Sequence, residues 1–176
     1  VQAIRSDGRT LSASGLDGNT RQGYLDLQQP VTLVLESDRG RITAGRTRWL
    51  FSAEQLESDQ PIQAELKNSK VQGRGFKLDQ RTGTVIISNS CRVEQTLETL
   101  TAQRCAWNWR SERVVADGDV VLQRTEPEQI TRASRMEAKI SDDGAIRFGQ
   151  AGARVESTIK LSPAAQEKPR RPQVSF

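Results

Sequence analysis

The two cysteines of this sequence, Cys91 and Cys105, are the residues best placed for covalent chemistry. If residues 89–107 form a hairpin centred near Glu98, the cysteines lie directly opposite each other on one face. Cross-strand Cβ atoms at such positions are about 4.5–5.5 Å apart, which is close to disulfide reach. In an oxidising compartment, closing a loop of about 15 residues would contribute about 3 kcal/mol. Two buried thiols are the alternative, favoured if the segment from Thr96 is a helix or a loop.

Other catalytic chemistry has little support in the composition. The chain has 176 residues and no histidine, which excludes Ser-His-Asp and Cys-His catalysis and His-ligated metals. Two cysteines alone cannot build a zinc site. The 22 acidic residues show no motif that fixes two carboxylates at the separation that glycoside hydrolysis needs. We therefore expect no enzymatic activity, no metal and no cofactor.

The charge pattern argues against a nucleic-acid partner. The 26 basic and 22 acidic residues give a net charge of +4, and the two signs alternate along the chain. Nucleic-acid binders usually gather their positive charge on one face or in one run. No hydrophobic run approaches the length that spans a bilayer. Because the sequence starts at Val1 without Met, we expect an export or anchor segment upstream of it.

Short stretches of alternating apolar and polar residues, separated by turn signals, predict an all-β fold. Val31, Leu33 and Leu35 alternate with polar or outward positions, and Asp117-Gly118-Asp119 is a typical turn signal. The hydrophobic content of 35% is lean for a compact globule and suits a thin, two-layer body. Helix remains an alternative at 96–104 and 49–56.

An internal repeat at an offset of 58 residues predicts stacked strand-turn-strand units. Thr43, Ala44, Arg46, Trp49, Glu54 and Asp59 recur as Thr101, Ala102, Arg104, Trp107, Glu112 and Asp117. Shared strand and turn composition is the alternative explanation of these matches. The repeat predicts one elongated β domain over residues 1–161. Residues 162–176 are rich in proline and lack periodicity, which predicts an extended or disordered tail.

Three phrases of the sequence resemble the repeating pattern of the LptA/LptC/OstA lipopolysaccharide-transport family. They lie at 73–85, 115–122 and 132–140, where a glycine-containing entry leads to a strand pair followed by the pattern Ala-x-Gly-x-Val. The tryptophan-containing arms and the phrase at 58–62 look most like the longer LptC-type proteins of cyanobacteria. The resemblance covers roughly residues 10–160.

The resemblance implies a twisted, partly open antiparallel β-jellyroll whose apolar slot takes the acyl chains of lipopolysaccharide. It also implies a periplasmic location and edge-to-edge pairing with other Lpt-type jellyroll proteins or with copies of itself. An LptC-like member would be anchored to the inner membrane by an N-terminal segment. The expected function is a component of lipopolysaccharide export that holds acyl chains and passes them to partner proteins.

Apolar residues on the alternating stretches are the candidates for lining a lipid slot, and ordinary core packing is the alternative role for each. They are Leu33, Leu35, Trp49, Phe51, Val85, Ile87, Val93, Trp107, Trp109, Val120, Leu122, Met136, Ile140 and Phe148. The competing function is a structural or adhesive β-repeat module that binds proteins or glycans at its surface. Lipid should change the tryptophan environment only under the first hypothesis.

Overall fold

The described residues form an all-β structure, which confirms the predicted fold class. A computed structural model describes residues 1–5, 8–36, 39–150 and 155–159. Within these ranges the chain contains sixteen strands and no α-helix. Both segments for which a helix remained an alternative are strands and turns. Within the described part of the chain, no helix is long and apolar enough to cross a membrane.

The strands follow one another through short turns, and every observed pairing is antiparallel. In the first half of the chain they are β1 Gln2–Ile4, β2 Thr10–Ser12, β3 Leu16–Asn19, β4 Tyr24–Leu27, β5 Val31–Val34, β6 Arg41–Ala44, β7 Thr47–Leu50 and β8 Gln55–Glu65. In the second half they are β9 Lys70–Asp79, β10 Thr84–Gln95, β11 Glu98–Ala102, β12 Arg104–Asn108, β13 Arg113–Thr125, β14 Glu128–Ile140, β15 Ile146–Gln150 and β16 Val155–Ile159.

Five long strands, β8, β9, β10, β13 and β14, run through two layers. The first layer contains one half of each long strand together with β1, β2, β5, β6, β11 and β16. The second layer contains the other half of each long strand together with β3, β4, β7, β12 and β15. The strands pass between layers where the pairing register shifts, at 58–61, 89–91 and 117–120. Such β-bulges bend a strand and increase its local twist. We call this line of bulges the crease.

The backbone at the crease is specialised for the bend. Ser90 has a φ of 51° and Asp119 a φ of 44°, in the left-handed region that few non-glycine residues adopt. A Cβ atom placed on Gly73 would lie 2.3 Å from Cγ2 of Ile87 and 2.6 Å from the carbonyl oxygen of Ser90. Only glycine fits at this close approach of two strands.

The repeated segments of the sequence occupy matching places in the fold. At the offset of 58 residues, β8 aligns with β13 and β9 aligns with β14. Glu54 and Glu112, which form one matched pair, both have positive φ, at 54° and 59°. Each follows the turn that leads into the long strand of its unit.

The apolar core lies between the two layers. On β14, Met136, Ala138 and Ile140 are buried, while the intervening Arg135 and Glu137 are exposed. The same alternation on the other strands brings their apolar side chains into one continuous cluster. The outer faces of both layers are mainly polar, as expected for antiparallel sheets with one solvated side.

The two cysteines form a disulfide at the crease, with their Cα atoms 5.9 Å apart. The hairpin register predicted from the sequence is wrong. Cys91 on β10 lies opposite Ala102 on β11, and Cys105 on β12 lies opposite Ile87 on β10. The β10–β11 turn falls at 96–97, and after Gln103 the chain enters the second layer. The disulfide therefore links the two layers instead of two neighbours within one sheet.

The proline-rich tail predicted for 162–176 lies outside the described residues.

Candidate functional site

The turns at the free ends of the two layers meet on the side opposite the crease. The contacting residues of the first layer come from the turns after β1, β5, β8 and β10, and those of the second layer come from the turns after β7, β9, β12 and β14. We call this line of contacts the seam. In the first layer it comprises Arg5, Arg9, Glu36, Arg39, Asn68, Ser69 and Gln95, and in the second Glu54, Gln80, Trp109, Arg110, Glu112, Asp143, Gly144 and Ile146.

Glu36 is the centre of the ionic half of the seam. Its Oε1 accepts hydrogen bonds from Nε of Arg110 at 2.9 Å and from Nε1 of Trp109 at 3.1 Å. Its Oε2 lies 3.4 Å from Nε of Arg9, a side chain that is only 9% exposed. One carboxylate of the first layer thus holds an indole and a guanidinium of the second layer, along with a cation of its own layer. Bonds to a charged acceptor of this kind are roughly twice as strong as neutral ones.

The surroundings of Glu36 favour its ionised form. Burial alone would raise the pKa of Glu36, but the hydrogen bonds from Arg110 and Trp109 and the charge of Arg110 outweigh it, so the pKa lies below its usual value. Arg110 is itself held by the second layer, since its Nη2 donates to the carbonyl oxygen of Gln80 at 2.6 Å. Glu36 is therefore a fixed negative charge at neutral pH.

Two further ionic contacts flank Glu36. Nη1 of Arg39 donates to the carbonyl oxygen of Trp109 at 2.8 Å and lies 3.6 Å from Oε1 of Glu112. Arg5 pairs with Glu54 and holds the pKa of that carboxyl below its usual range. The ionic half of the seam is defined by these residues: Arg5, Arg9, Glu36, Arg39, Glu54, Trp109, Arg110 and Glu112.

The neutral half of the seam is built from amides and hydroxyls. The Gln95 side chain donates to the carbonyl oxygen of Ile146 at 2.7 Å and accepts from the Ile146 N–H at 2.6 Å. The buried Ser69 hydroxyl donates to the carbonyl oxygen of Gly144 at 2.8 Å, and Asn68 donates to the carbonyl oxygen of Asp143. These residues attach the first layer to the β14–β15 turn without formal charges.

A cavity of about 320 Å³ lies at the seam between its ionic and neutral halves. Its apolar wall is formed by Leu66, Trp107, Trp109 and Ile140. Its polar rim includes Arg39, Lys67, Glu112, Ser141, Asp142 and Gly144. An apolar wall below a charged rim suits a ligand with an alkyl part and a polar head.

Trp107 in the cavity wall carries an unsatisfied donor. Its Nε1 is buried and has no hydrogen-bond partner among the described residues. The ring packs edge-on against Trp109, with centroids 6.2 Å apart. A buried polar group without a partner costs about 1–3 kcal/mol. That cost falls on a residue of the cavity wall.

Most of the residues predicted to line a lipid slot are buried between the layers. Leu33, Leu35, Val85, Ile87, Val93, Trp107, Trp109, Val120, Leu122, Met136 and Ile140 are all at most 8% exposed. Trp49, Phe51 and Phe148 are partly buried. Trp107, Trp109 and Ile140 reach the seam cavity. The other buried candidates belong to the core, and Trp49 and Phe148 pack against it. The lining role of the fourteen residues stays a prediction.

A larger hollow of about 560 Å³ is polar and lies on the outer side of the second layer. Asp26, Arg48, Glu57 and Lys77 form its central row, with opposite charges on neighbouring strands. The hydrogen bond from Arg48 lowers the pKa of Asp26 despite the opposing effect of burial. Asp26 forms salt bridges with Arg48 and Arg46, and eight of the nine lining residues are polar or charged, which suits a polar ligand better than an alkyl chain.

The chain's N-terminal edge exposes apolar side chains. Among the described strands, β1 pairs only with β2, and β3 pairs only with β4. Val1 is 64% exposed and Ile4 71% on the first layer, and Leu16 is 46% exposed on the second. An edge strand with free N–H and C=O groups and exposed apolar side chains is a template for strand addition.

Sequence reasoning missed the seam. The contacts of Glu36 with Trp109 and of Arg9 with Gln80 join residues 73 and 71 positions apart. No local pattern in the sequence says which turns meet.

The fold and the seam define a class of protein: a two-layer antiparallel β-jellyroll with an apolar interior between its layers. No family model matches the sequence, and no curated protein matches it. A solved structure to which the chain is similar is LptH from Pseudomonas aeruginosa, described as the LptA-homologous periplasmic component of a lipopolysaccharide transport device. The TM-score is 0.43 and the identity 10%, over 90% of this chain and 98% of that one.

Proposed function

We propose that this protein is a non-enzymatic lipid carrier of the periplasm that holds the acyl chains of lipopolysaccharide between its two layers. The observation that carries the proposal is the continuous apolar interior, which meets the surface at the seam cavity. The seam is the side of the interior that side chains alone close. The sequence resemblance to the LptA/LptC/OstA family supports lipopolysaccharide as the ligand.

The energetics of such a carrier need no catalytic group. Transfer of an alkyl chain out of water contributes about 0.8 kcal/mol for each buried CH₂. The interior side chains pack against one another, so the layers must part before a chain can lie among them. The free energy gained by burying each CH₂ group opposes the loss of side-chain contacts in the parted core.

Edge pairing would connect the carrier to its partners. The N-terminal edge offers free strand groups on β1 and β3, with Val1, Ile4 and Leu16 exposed beside them. A second jellyroll, of another Lpt-type protein or of this chain, would extend both layers and join the two interiors. Lipid would then move along a continuous apolar path.

The experiment that tests the proposal is quenching of tryptophan fluorescence by doxyl-labelled lipid. Lipopolysaccharide should displace a doxyl fatty acid and restore the emission of Trp107 and Trp109, which line the seam cavity. The variant Trp107→Phe/Trp109→Phe keeps Trp49, which packs against the same core but does not line the seam cavity, so its quenching reports an alkyl chain elsewhere in the interior. No quenching in the wild type, or quenching that lipopolysaccharide does not reverse, would overturn the proposal.

A further inference from the structure

We infer that the ionic half of the seam is a latch that controls the entry of alkyl chains into the interior, and that Glu36 is its key residue. This inference rests on the proposed function and assigns a regulatory role to residues outside the apolar interior.

The two sides of the interior differ in what must break for the layers to part. At the crease, the long strands continue from one layer to the other and the disulfide joins Cys91 to Cys105. At the seam, every contact between the layers involves a side chain. Among the described residues, no backbone–backbone hydrogen bond crosses the seam. The layers can therefore part at the seam while every strand pairing stays intact.

Glu36 connects the latch to the wall of the cavity. Trp109 lines the cavity, and its indole N–H is held by Glu36 while its carbonyl oxygen is held by Arg39. Both holding residues belong to the first layer, and Trp109 belongs to the second. Release of Glu36 frees one of the two contacts that fix this wall residue to the opposite layer.

Residues of the latch also form part of the rim of the seam cavity, through which an alkyl chain would enter the interior. Arg39 and Glu112 form one rim of the cavity and pair with each other in the ionic half. Leu35, the residue before Glu36, is fully buried between the layers. Separation of Glu36 and Arg39 from the second layer would therefore open the cavity toward the core. If these contacts only stabilised the fold, their loss would not change the rate at which a ligand enters the interior.

The test compares three full-length variants: Glu36→Gln, Arg39→Gln and the control Glu137→Gln. Glu137 pairs with Arg135 at 2.9 Å on the outer face of β14, so the control removes the same charge away from the seam. The first measurement is hydrogen exchange of the Trp109 indole N–H by NMR, assigned with Trp109→Phe. The second is the rate at which a doxyl fatty acid quenches tryptophan emission after mixing.

We expect indole exchange and fatty-acid uptake both to be about tenfold faster in Glu36→Gln, which corresponds to 1.4 kcal/mol. Arg39→Gln should show a smaller increase in both, and Glu137→Gln should match the wild type. Arg39→Gln keeps the test decisive if Glu36→Gln fails to fold.

The outcomes separate the latch from the function on which it rests. Faster indole exchange with unchanged uptake would overturn the latch, because seam opening would then not limit entry. Unchanged exchange and uptake in both seam variants would also overturn it, while fatty-acid binding by the wild type would leave the proposed function standing. If no variant and no wild-type protein bound the fatty acid, both proposals would fall.

Discussion

The crease and the seam close the same interior by different means. The crease uses continuous strands, three bulges and a disulfide between buried cysteines. The seam uses carboxylates, guanidiniums, amides and hydroxyls from turns that are distant in sequence. Covalent and main-chain links resist opening, whereas side-chain pairs at a surface each contribute little.

This difference gives the molecule one fixed side and one side that can open. A protein that only needed stability would gain from closing both sides with main-chain ladders. The observed asymmetry fits a carrier whose layers move apart at the seam and remain joined at the crease. The comparison predicts that changes at the crease alter stability, and that changes at the seam alter lipid entry.

The largest expected effect is at the crease. Replacing Cys91 and Cys105 together by alanine should lower the free energy of unfolding by about 3 kcal/mol, because the loop of about 15 residues is no longer closed in the unfolded chain. Urea denaturation measures this change. A reducing agent should destabilise the wild type and leave the double variant unaffected. The fatty-acid uptake rate should not rise as it does in Glu36→Gln, and an equal rise would remove the distinction between crease and seam.

At the seam, Glu36→Gln should lower the free energy of unfolding by about 2 kcal/mol, because hydrogen bonds to a charged group contribute about 1.5–3 kcal/mol each. Denaturant titrations of Glu36→Gln and Glu137→Gln provide the comparison. Both side chains of the Arg135–Glu137 pair are exposed, so the loss of that pair should cost little. A loss equal to that of the control would mean that the Glu36 cluster does not join the layers.

Acid should open the seam. The pKa of Glu36 is depressed in the folded protein, so its contribution is present above the unfolded value of about 4.3 and is lost as pH falls below it. When the carboxylate is protonated, Arg110 and Trp109 lose their charged hydrogen-bond acceptor and Arg9 loses its ion-pair partner. Exchange of the Trp109 indole should accelerate in this pH range in the wild type. Glu36→Gln should lack this acceleration at low pH. An identical pH profile of indole exchange in the two proteins would show that Glu36 is not the group that titrates.

Salt should have the smallest effect, and it should weaken the ionic half of the seam but not the neutral half. Raising the ionic strength from about 0.1 M to 1 M shortens the screening length from about 10 Å to 3 Å, which weakens exposed pairs such as Arg5–Glu54. The expected cost is below about 1 kcal/mol. Amide exchange at Ile146, which bonds to Gln95 in the neutral half, should stay constant. Equal acceleration at Ile146 and at the Trp109 indole would show that the halves open together.

The sequence was most informative where the pattern is local. Alternation predicted the strands, and the inward positions of β14 agree residue by residue with Met136, Ala138 and Ile140. The offset of 58 residues places Glu54 and Glu112 in the same backbone conformation. Local patterns work here because strand side chains alternate between faces whatever the tertiary context.

The predictions failed where geometry depends on distant contacts. The hairpin was centred near Glu98, but a turn at 96–97 and the bulge at 89–91 put Cys91 and Cys105 in different layers. The seam could not be predicted, because the Glu36–Trp109 contact depends on how the crease folds one layer over the other. A single sequence does not give the angle between the two layers.

The central claim is that alkyl chains enter the space between the layers. Photo-crosslinking tests it most directly, with p-benzoylphenylalanine at Trp107 in the cavity wall or at Ile86 on the outer face of the second layer. The account predicts a crosslink to lipopolysaccharide from position 107 that free fatty acid competes away, and none from position 86. Crosslinks from position 86 alone, or equal yields from both positions, would contradict it.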